Sequence, residues 1–411
     1  MKKTATFGAR ALRGLLWAVA AVAAAAVAGV VWLLFLGGVA ISDRLMLWRM
    51  LRGEGVAPPA AEVIARQLRV AKGYRVELFA RDLPSARLMV PTASGDVLLS
   101  QPRGGRVVLL EADRDGDGAS DGRRVLLAGL DRPNGVDLHE GWLYIAEATR
   151  ISRVRFDAPA RRLQGALEPL VTNLSADGTH WRKTARVGPD RKLYLGQGST
   201  CNVCLERDAR RATVMRFSLD GSEPEVIATG TRNPYGFDWA PWDEALYATE
   251  NSRDLLGDDQ PPDELNRIVP GGFYGWPYVH GVRVIDPEYG PGNEAMIRAA
   301  LPPAHAFRAH NAPLGIRFLR HGERGADYER VALVALHGSW NRREPDGYRV
   351  VALHFAADGR IEERPFLDGF RGPEGLIGRP VDVAESPDGS IYVSDDYAGV
   401  IYRVVRQRNS P

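Results

Sequence analysis

The chain has 411 residues, 25% of them charged, and a formal net charge of +2. That length admits one large domain or two ordinary ones. The near-neutral balance, with no basic stripe interleaved with aromatics, does not point to a nucleic-acid partner. With 44 glycines and 27 prolines, the composition suits tight turns between short strands better than a helical protein.

The first fifty residues differ from the rest. Lys2, Lys3, Arg10 and Arg13 precede an uncharged run from Gly14 to Ile41, longer than the roughly 20 residues a membrane-spanning helix needs. A cleavable signal has an apolar core of about 7 to 15 residues, so the run predicts one retained N-terminal transmembrane helix. Small-residue cleavage sites among Ala23 to Gly29 leave secretion after cleavage as the alternative. Arg44, Arg49 and Arg52 flank the far side, which weakens the charge signal for orientation. The expectation is a basic cytoplasmic tip and anchor over 1–52, held in the inner membrane, with the remainder in the periplasm. Residues 53–68, beginning GEGVAPPAAEVIA, have the composition of a linker. The folded domain is expected over 69–408.

Within it one pattern recurs: a short apolar strand, a Gly or Asp turn, a second strand often carrying Tyr, and a third rich in Val, Ile and Arg. The middle strands are GDVLLS at Gly95, GWLYIA at Gly141, RKLYLG at Arg191, EALYAT at Glu244, VALVALHG at Val331 and GSIYVSDD at Gly389. Alternation and β-branched or aromatic content predict half-buried strands. Six units about 45 to 60 residues apart, with one insertion between the fourth and fifth, predict an all-β, six-bladed β-propeller. Its ring must close to protect its sheet edges, and GYRVELFA from Gly73 is the candidate closing strand. A sandwich or two smaller β domains is the competing reading.

Several stretches carry chemistry. Asp113, Asp115, Asp117 and Asp121 in DRDGDGASD fall at alternate positions, like part of a calcium loop, but Arg124 stands where an EF-hand needs Glu; a structural calcium loop and a plain polar turn both fit. His180 lies just before a strand, where a propeller places site residues, although a lone histidine is more often structural. Cys201 and Cys204 are the only cysteines, lack the ligands of a haem or zinc site, and read as a small-loop disulfide. The sharpest stretch is Thr231 to Gly281, where Arg232 and Asn233 precede Asp254, Asp258, Asp259, Asp263 and Glu264. Five carboxylates in one loop call for a cation such as calcium or for solvation. Cations at the starts of units four, five and six (Arg232, Arg342 or Arg343, Arg379) are positioned to converge on a propeller axis, although any one of them alone reads as a surface arginine.

The segments RNPYGF, ENSRDLLGDDQPPDELNRI and GGFYGWPYVHG, with GPDRKLYL, HNAPLGIRF, ALHGSWNR and GRPVDVAESPDGSIYVSDD, resemble the glucose/sorbosone dehydrogenase family over about Gly73 to Val405. These are propellers dependent on pyrroloquinoline quinone (PQQ), and the likeness is nearest the L-sorbosone dehydrogenase-like branch. The resemblance implies His180 as general base, and Arg232 and Asn233 as the pair that contacts the quinone and polarises its carbonyl. It further implies Arg342 and Arg379 as cofactor-binding cations, and Glu264 and Tyr274 as a structural calcium site. Three departures stand out. The histidine's aspartate partner falls at Ser199, a second cofactor arginine falls at Val381, and the loop from Glu250 to Glu264 is longer than in soluble glucose dehydrogenase. The implied reaction is calcium-assisted oxidation of an aldose or sorbosone-type sugar by hydride transfer to PQQ, with an unidentified electron acceptor. A calcium-dependent lactonase or esterase and a non-catalytic envelope binding module are the alternatives.

Overall fold

The computed structural model describes residues 5–31, 40–322 and 326–407. The six middle strands of the repeat form as Val97–Gln101, Trp142–Ala146, Leu193–Gln197, Leu246–Glu250, Val331–Leu336 and Ile391–Asp395, each the second strand of an antiparallel blade. They are buried on both faces rather than one. The reason is that each blade is sandwiched between two others, so the polar face expected from alternation has no solvent to meet. The innermost strands, Met89–Pro91, Gly135–His139, Lys183–Val187, Pro234–Trp239, Pro313–Phe318 and Pro380–Glu385, neighbour one another in a closed ring.

The strand Tyr74–Ala80 pairs antiparallel with Val400–Arg406, from Tyr74 opposite Arg406 to Leu78 opposite Tyr402, and so completes blade six. The ring is thus closed by the segment the sequence nominates, which leaves no edge strand unpaired at the junction. The insertion expected between units four and five lies inside blade four. It separates Asp263–Ile268 from the outermost strand His305–Phe307 and carries a short hairpin and a helix.

Six apolar clusters hold the ring, one at each interface between blades. At the closing interface Phe79 and Tyr392 meet edge-to-face, 4.9 Å between centroids, over Leu99, Val108 and Ile401. Each fully buried Leu, Val or Phe contributes roughly 1.5–3 kcal/mol relative to exposure. Near the axis the innermost strands approach more closely than a side chain allows. A Cβ on Gly236 would lie 2.2 Å from the Leu314 carbonyl oxygen, and one on Gly315 would lie 2.6 Å from the Asp382 Cα. Polar clamps bridge the same strands: Asp382 accepts the Met89 N–H (2.8 Å), and Asp238 accepts the Phe318 N–H (2.8 Å).

Before the ring, α1 spans Ala5–Val31, α2 Arg44–Arg52 and α3 Ala61–Gln67. Among the described residues no helix is long and apolar enough to cross a membrane. The spanning helix expected over Gly14 to Ile41 is therefore not shown, and residues 32–39 of that run lie outside the described residues. The stretch expected as a linker lies against the propeller. The Val56 N–H donates to the Tyr397 carbonyl (2.9 Å), Arg103 donates to the Gly53 carbonyl, and Gln67 donates to the Gly369 carbonyl (2.8 Å).

Candidate active site

In this topology two sets of loops gather at one end of the ring: those leading into each innermost strand, and those joining second to third strands. Both line a central cavity of about 920 Å³. Asp113 to Asp121 joins the last two strands of blade one and so belongs to the opposite end. There Asp113 is used up by Arg403 (2.7 Å) and the N–H groups of Gly116 and Gly118, while Asp113, Asp115 and Asp117 cluster within 4.8 Å.

His180 lines the cavity just upstream of Lys183–Val187. Its Nδ1 lies 3.0 Å from the Ser199 carbonyl and 2.9 Å from Ser199 Oγ, whose own proton goes to the Cys201 carbonyl (2.7 Å). Both Ser199 atoms therefore act as acceptors toward the ring, so the proton sits on Nδ1 and Nε2 keeps its lone pair. Burial, and next the Arg232 charge, lower the His180 pKa to about 3, which holds the ring neutral. Ser199 takes the place expected of an aspartate. It orients the ring without supplying the charge that raises basicity. Beneath it, Arg211 ties the Ser199 carbonyl (2.9 Å) to the carbonyls of His180 (3.2 Å) and Asp177 (3.1 Å). Cys201 and Cys204 form the expected disulfide next to this anchor.

Arg232 and Asn233 also line the cavity, immediately upstream of Pro234–Trp239. The Arg232 guanidinium is buried and held in place, donating to the carbonyls of Asn202 (2.8 Å) and Asn251 (2.9 Å) and pairing with Asp254 (3.0 Å). Asn233 donates to Asn251 Oδ1 (3.2 Å). Asp254 thus folds inward from the acidic loop. Burial opposes its ionisation, but His310 and Arg232 beside it hold its pKa below the ordinary value.

The rest of the acidic loop is neutralised by protein groups. Arg342 donates to the Asp258 carbonyl and to Asp259 (3.1 Å), and Arg343 meets Asp258 (3.5 Å). Arg342 follows the second strand of blade five and is absent from the cavity lining, so the structure places this expected cofactor cation against the loop instead. Asp263 lines the cavity and accepts the N–H groups of Ser252 and Ala312, both at 2.8 Å; burial raises its pKa to about 6.

Arg379 lies where expected, just upstream of Pro380–Glu385, and donates to the carbonyls of His337 (3.0 Å) and Gly338 (2.9 Å). Val381 is in the apolar interface between blades one and two. Two cavity arginines and an acid–histidine pair emerge that the sequence reading missed. Arg87 pairs with Asp396 (2.6 Å), which also accepts the His337 Nε2–H (2.9 Å). Burial, and then Arg379, lower the His337 pKa to about 4. Arg182 lies over the Trp181 ring, 4.6 Å from its centroid, with its buried Nε lacking any partner among the described residues. Burial, and next Arg87, pull its pKa to about 10. The available signal was positional: Arg87 precedes an innermost strand by two residues, as Arg232 does.

A second polar group lies beside the cavity. Glu250 and Glu264 face each other on neighbouring strands, both buried, and share the Asn266 amide (3.0 and 2.8 Å). Burial raises the Glu264 pKa to about 7; burial and the second carboxylate raise that of Glu250. The Asn266 carbonyl oxygen has no partner among the described residues. Carboxylates are the ligand type a hard cation takes, and here the oxygens of both Glu250 and Glu264 accept N–H groups from Arg232, Gly281 and the Asn266 amide. The Tyr274 hydroxyl is not part of this group, since it donates to the Arg267 carbonyl (2.5 Å) and accepts the Val269 N–H (2.9 Å).

The model of the family described as TrAA12-like matches residues 68–294 and 283–407. An uncharacterized protein of Borreliella burgdorferi is 29% identical over 380 residues, covering 85% of this chain and 93% of that one. A pyrroloquinoline quinone-dependent pyranose dehydrogenase of Coprinopsis cinerea is 24% identical over 430 residues, covering 87% of this chain but only 57% of its own length. Solved structures share the fold. A Trichoderma reesei carbohydrate-active enzyme of family AA12 aligns with a TM-score of 0.72 at 20% identity, covering 83% of this chain and 98% of that one. The holo PQQ domain of Coprinopsis cinerea pyranose dehydrogenase aligns with a TM-score of 0.71 at 21% identity, covering 83% and 97%.

Proposed function

As the chain belongs to the TrAA12-like family, we propose that it oxidises a sugar with pyrroloquinoline quinone as cofactor, His180 acting as general base. One observation carries the reading: a neutral histidine with a bare Nε2 borders the same cavity as Arg182, a half-buried arginine whose buried Nε has no partner among the described residues. Sugar oxidation needs an acceptor for the hydroxyl proton, and a multiply carboxylated quinone needs cations.

The cavity fits such a cofactor in size and charge. Its volume of about 920 Å³ suits a small planar molecule together with a sugar. Arg87, Arg182 and Arg379 offer positive charge from three blades, Arg87 sharing its charge with Asp396. When bound, the quinone supplies the two-electron redox chemistry. The chain supplies the remainder. His180 Nε2 takes the hydroxyl proton, while Ser199 and Arg211 fix the ring and its loop. A base already neutral throughout the ordinary pH range needs no prior deprotonation. Arg232, held by Asp254, presents a fixed cation beside the base, where negative charge on a nearby oxygen is stabilised without reorganisation. Glu250 and Glu264 are the pair we assign to calcium, which would relieve the repulsion between the two carboxylates.

In this reading the basic tip and the run Gly14 to Ile41 attach the chain to the inner membrane and the propeller lies in the periplasm, a compartment compatible with the Cys201–Cys204 disulfide. Cell fractionation, with alkaline phosphatase fused after residue 407, tests that placement. For the chemistry, the purified chain loaded with PQQ and calcium is expected to reduce an artificial dye when given an aldose. His180→Ala is expected to lower the rate by a factor of about 10² to 10⁴. Dye reduction that ignores either the sugar or the histidine overturns the proposal.

A further inference from the structure

Helix α2, Arg44–Arg52, is bound to the propeller on one side and open on the other. Its Met46 is 1% exposed and sits in the cluster between blades five and six, against Tyr348. The approach is fastened as well: the Ser42 N–H donates to the Trp340 carbonyl (2.9 Å), Asn341 donates to the Ala40 carbonyl (2.9 Å), and Asp43 pairs with Arg371 (3.3 Å). On the open side Leu45, Trp48 and Leu51, three residues apart, are 60%, 47% and 65% exposed. Arg44, Arg49 and Arg52 are interspersed, and the helix contains no acidic residue. Arg52 also pairs with Glu54 just beyond the helix (2.9 Å).

A lone exposed leucine on a protein surface needs no explanation. Two leucines and a tryptophan in register on a basic nine-residue helix do. Apolar and indole side chains beside arginines match the boundary between acyl chains and anionic headgroups, where tryptophan concentrates and each cation near the surface is favourable. The position of the helix adds a second argument. It follows directly from the uncharged run Gly14 to Ile41, and its last turn leads into Gly53, Glu54, Gly55, Val56 and Pro58, which form part of the cavity wall.

The geometry points to α2 as a lipid-surface contact that seats the site-bearing end of the propeller on an anionic phospholipid membrane, with Leu45, Trp48 and Leu51 in the interface. This holds whatever chemistry the cavity performs. It differs from a simple tether, which would leave the propeller free to turn in any direction.

The test uses the full chain in vesicles of phosphatidylethanolamine and phosphatidylglycerol. The sequence has two cysteines, both in the disulfide, so Leu51→Cys carries a single environment-sensitive fluorophore. Asp220→Cys, between the last two strands of blade three, serves as the control at the opposite end. Doxyl-labelled lipid is expected to quench the label at 51 at least twofold more than the label at 220. Adding Leu45→Gln and Trp48→Gln, or replacing phosphatidylglycerol with phosphatidylcholine, is expected to remove most of that difference. Equal quenching at the two positions overturns the inference. So does a label at 51 shielded from both doxyl lipid and aqueous iodide, since that face would then be covered by protein.

Discussion

Replacing Ser199 by alanine tests the arrangement of the proposed base most finely. The hydroxyl makes two hydrogen bonds, accepting from His180 Nδ1 (2.9 Å) and donating to the Cys201 carbonyl (2.7 Å). Alanine removes both but leaves the Ser199 carbonyl, 3.0 Å from the same ring nitrogen, so the tautomer survives while the orientation loosens. A neutral hydrogen bond is worth about 0.5–1.5 kcal/mol net, so kcat/KM should fall about fivefold for a loss near 1 kcal/mol. Ser199→Asp is the informative companion. A carboxylate at that point favours the charged ring and raises its pKa by about 1–3 units. Protonated His180 is not a base. The wild-type rate should therefore show no acid limb from this group until the pH approaches 3, and the Asp variant should show one displaced upward. The assay is dye-linked sugar oxidation by PQQ- and calcium-loaded protein across about pH 4 to 9, where the upward displacement falls. Unchanged kcat/KM in the alanine variant, with superimposable pH profiles in both, would refute the assignment of Ser199 as the residue that positions His180.

Three further outcomes are expected. Arg182→Ala should weaken PQQ binding about 10- to 100-fold, the cost of losing a charge-assisted contact. Because it also removes a desolvated cation, the apo melting temperature should not fall; an unchanged Kd by titration contradicts that role. In chelator, stability should decline as pH rises from about 4.5 toward 7. Glu264 has its folded pKa raised above the unfolded value, so its protonated form favours the fold at low pH and that contribution is lost as pH rises through about 7. Calcium should flatten the decline, and Glu264→Gln should abolish the calcium effect; melting curves with and without calcium decide. Gly55→Val should lift the wall segment, because a Cβ there would lie 1.9 Å from the Tyr397 carbonyl oxygen. A kcat/KM ratio of disaccharide to monosaccharide that stays at the wild-type value would show that the segment does not restrict access.

The fold was legible because each unit repeats its own punctuation, and the ring closure followed from one surplus strand near the start. The candidate site's position was legible where a motif coincided with topology. Arg232, Asn233 and Arg379 stand immediately before innermost strands, and that is where the cavity is. Arg87 and Arg182 stand in equivalent places but belong to no motif, so only the closed ring brings them to the axis. Arg342 stands away from the cavity for the complementary reason. Its motif follows a second strand, and from there the side chain meets the carbonyl and carboxylate of the acidic loop, a charge demand that spacing alone could not apportion between protein and metal. The hydroxyl contacts of Ser199 were similarly invisible: a serine in an aspartate's place reads as a loss until its hydroxyl is found bonded on both sides.

The most direct measurement is a single turnover without oxygen. Protein loaded with PQQ and calcium is mixed with a pyranose, and the quinone absorbance is followed. The account predicts saturable cofactor binding at micromolar concentration in both wild type and His180→Ala, with sugar reducing the bound quinone rapidly only in the wild type. Absence of saturable binding, or equal reduction rates in the two proteins, would contradict it.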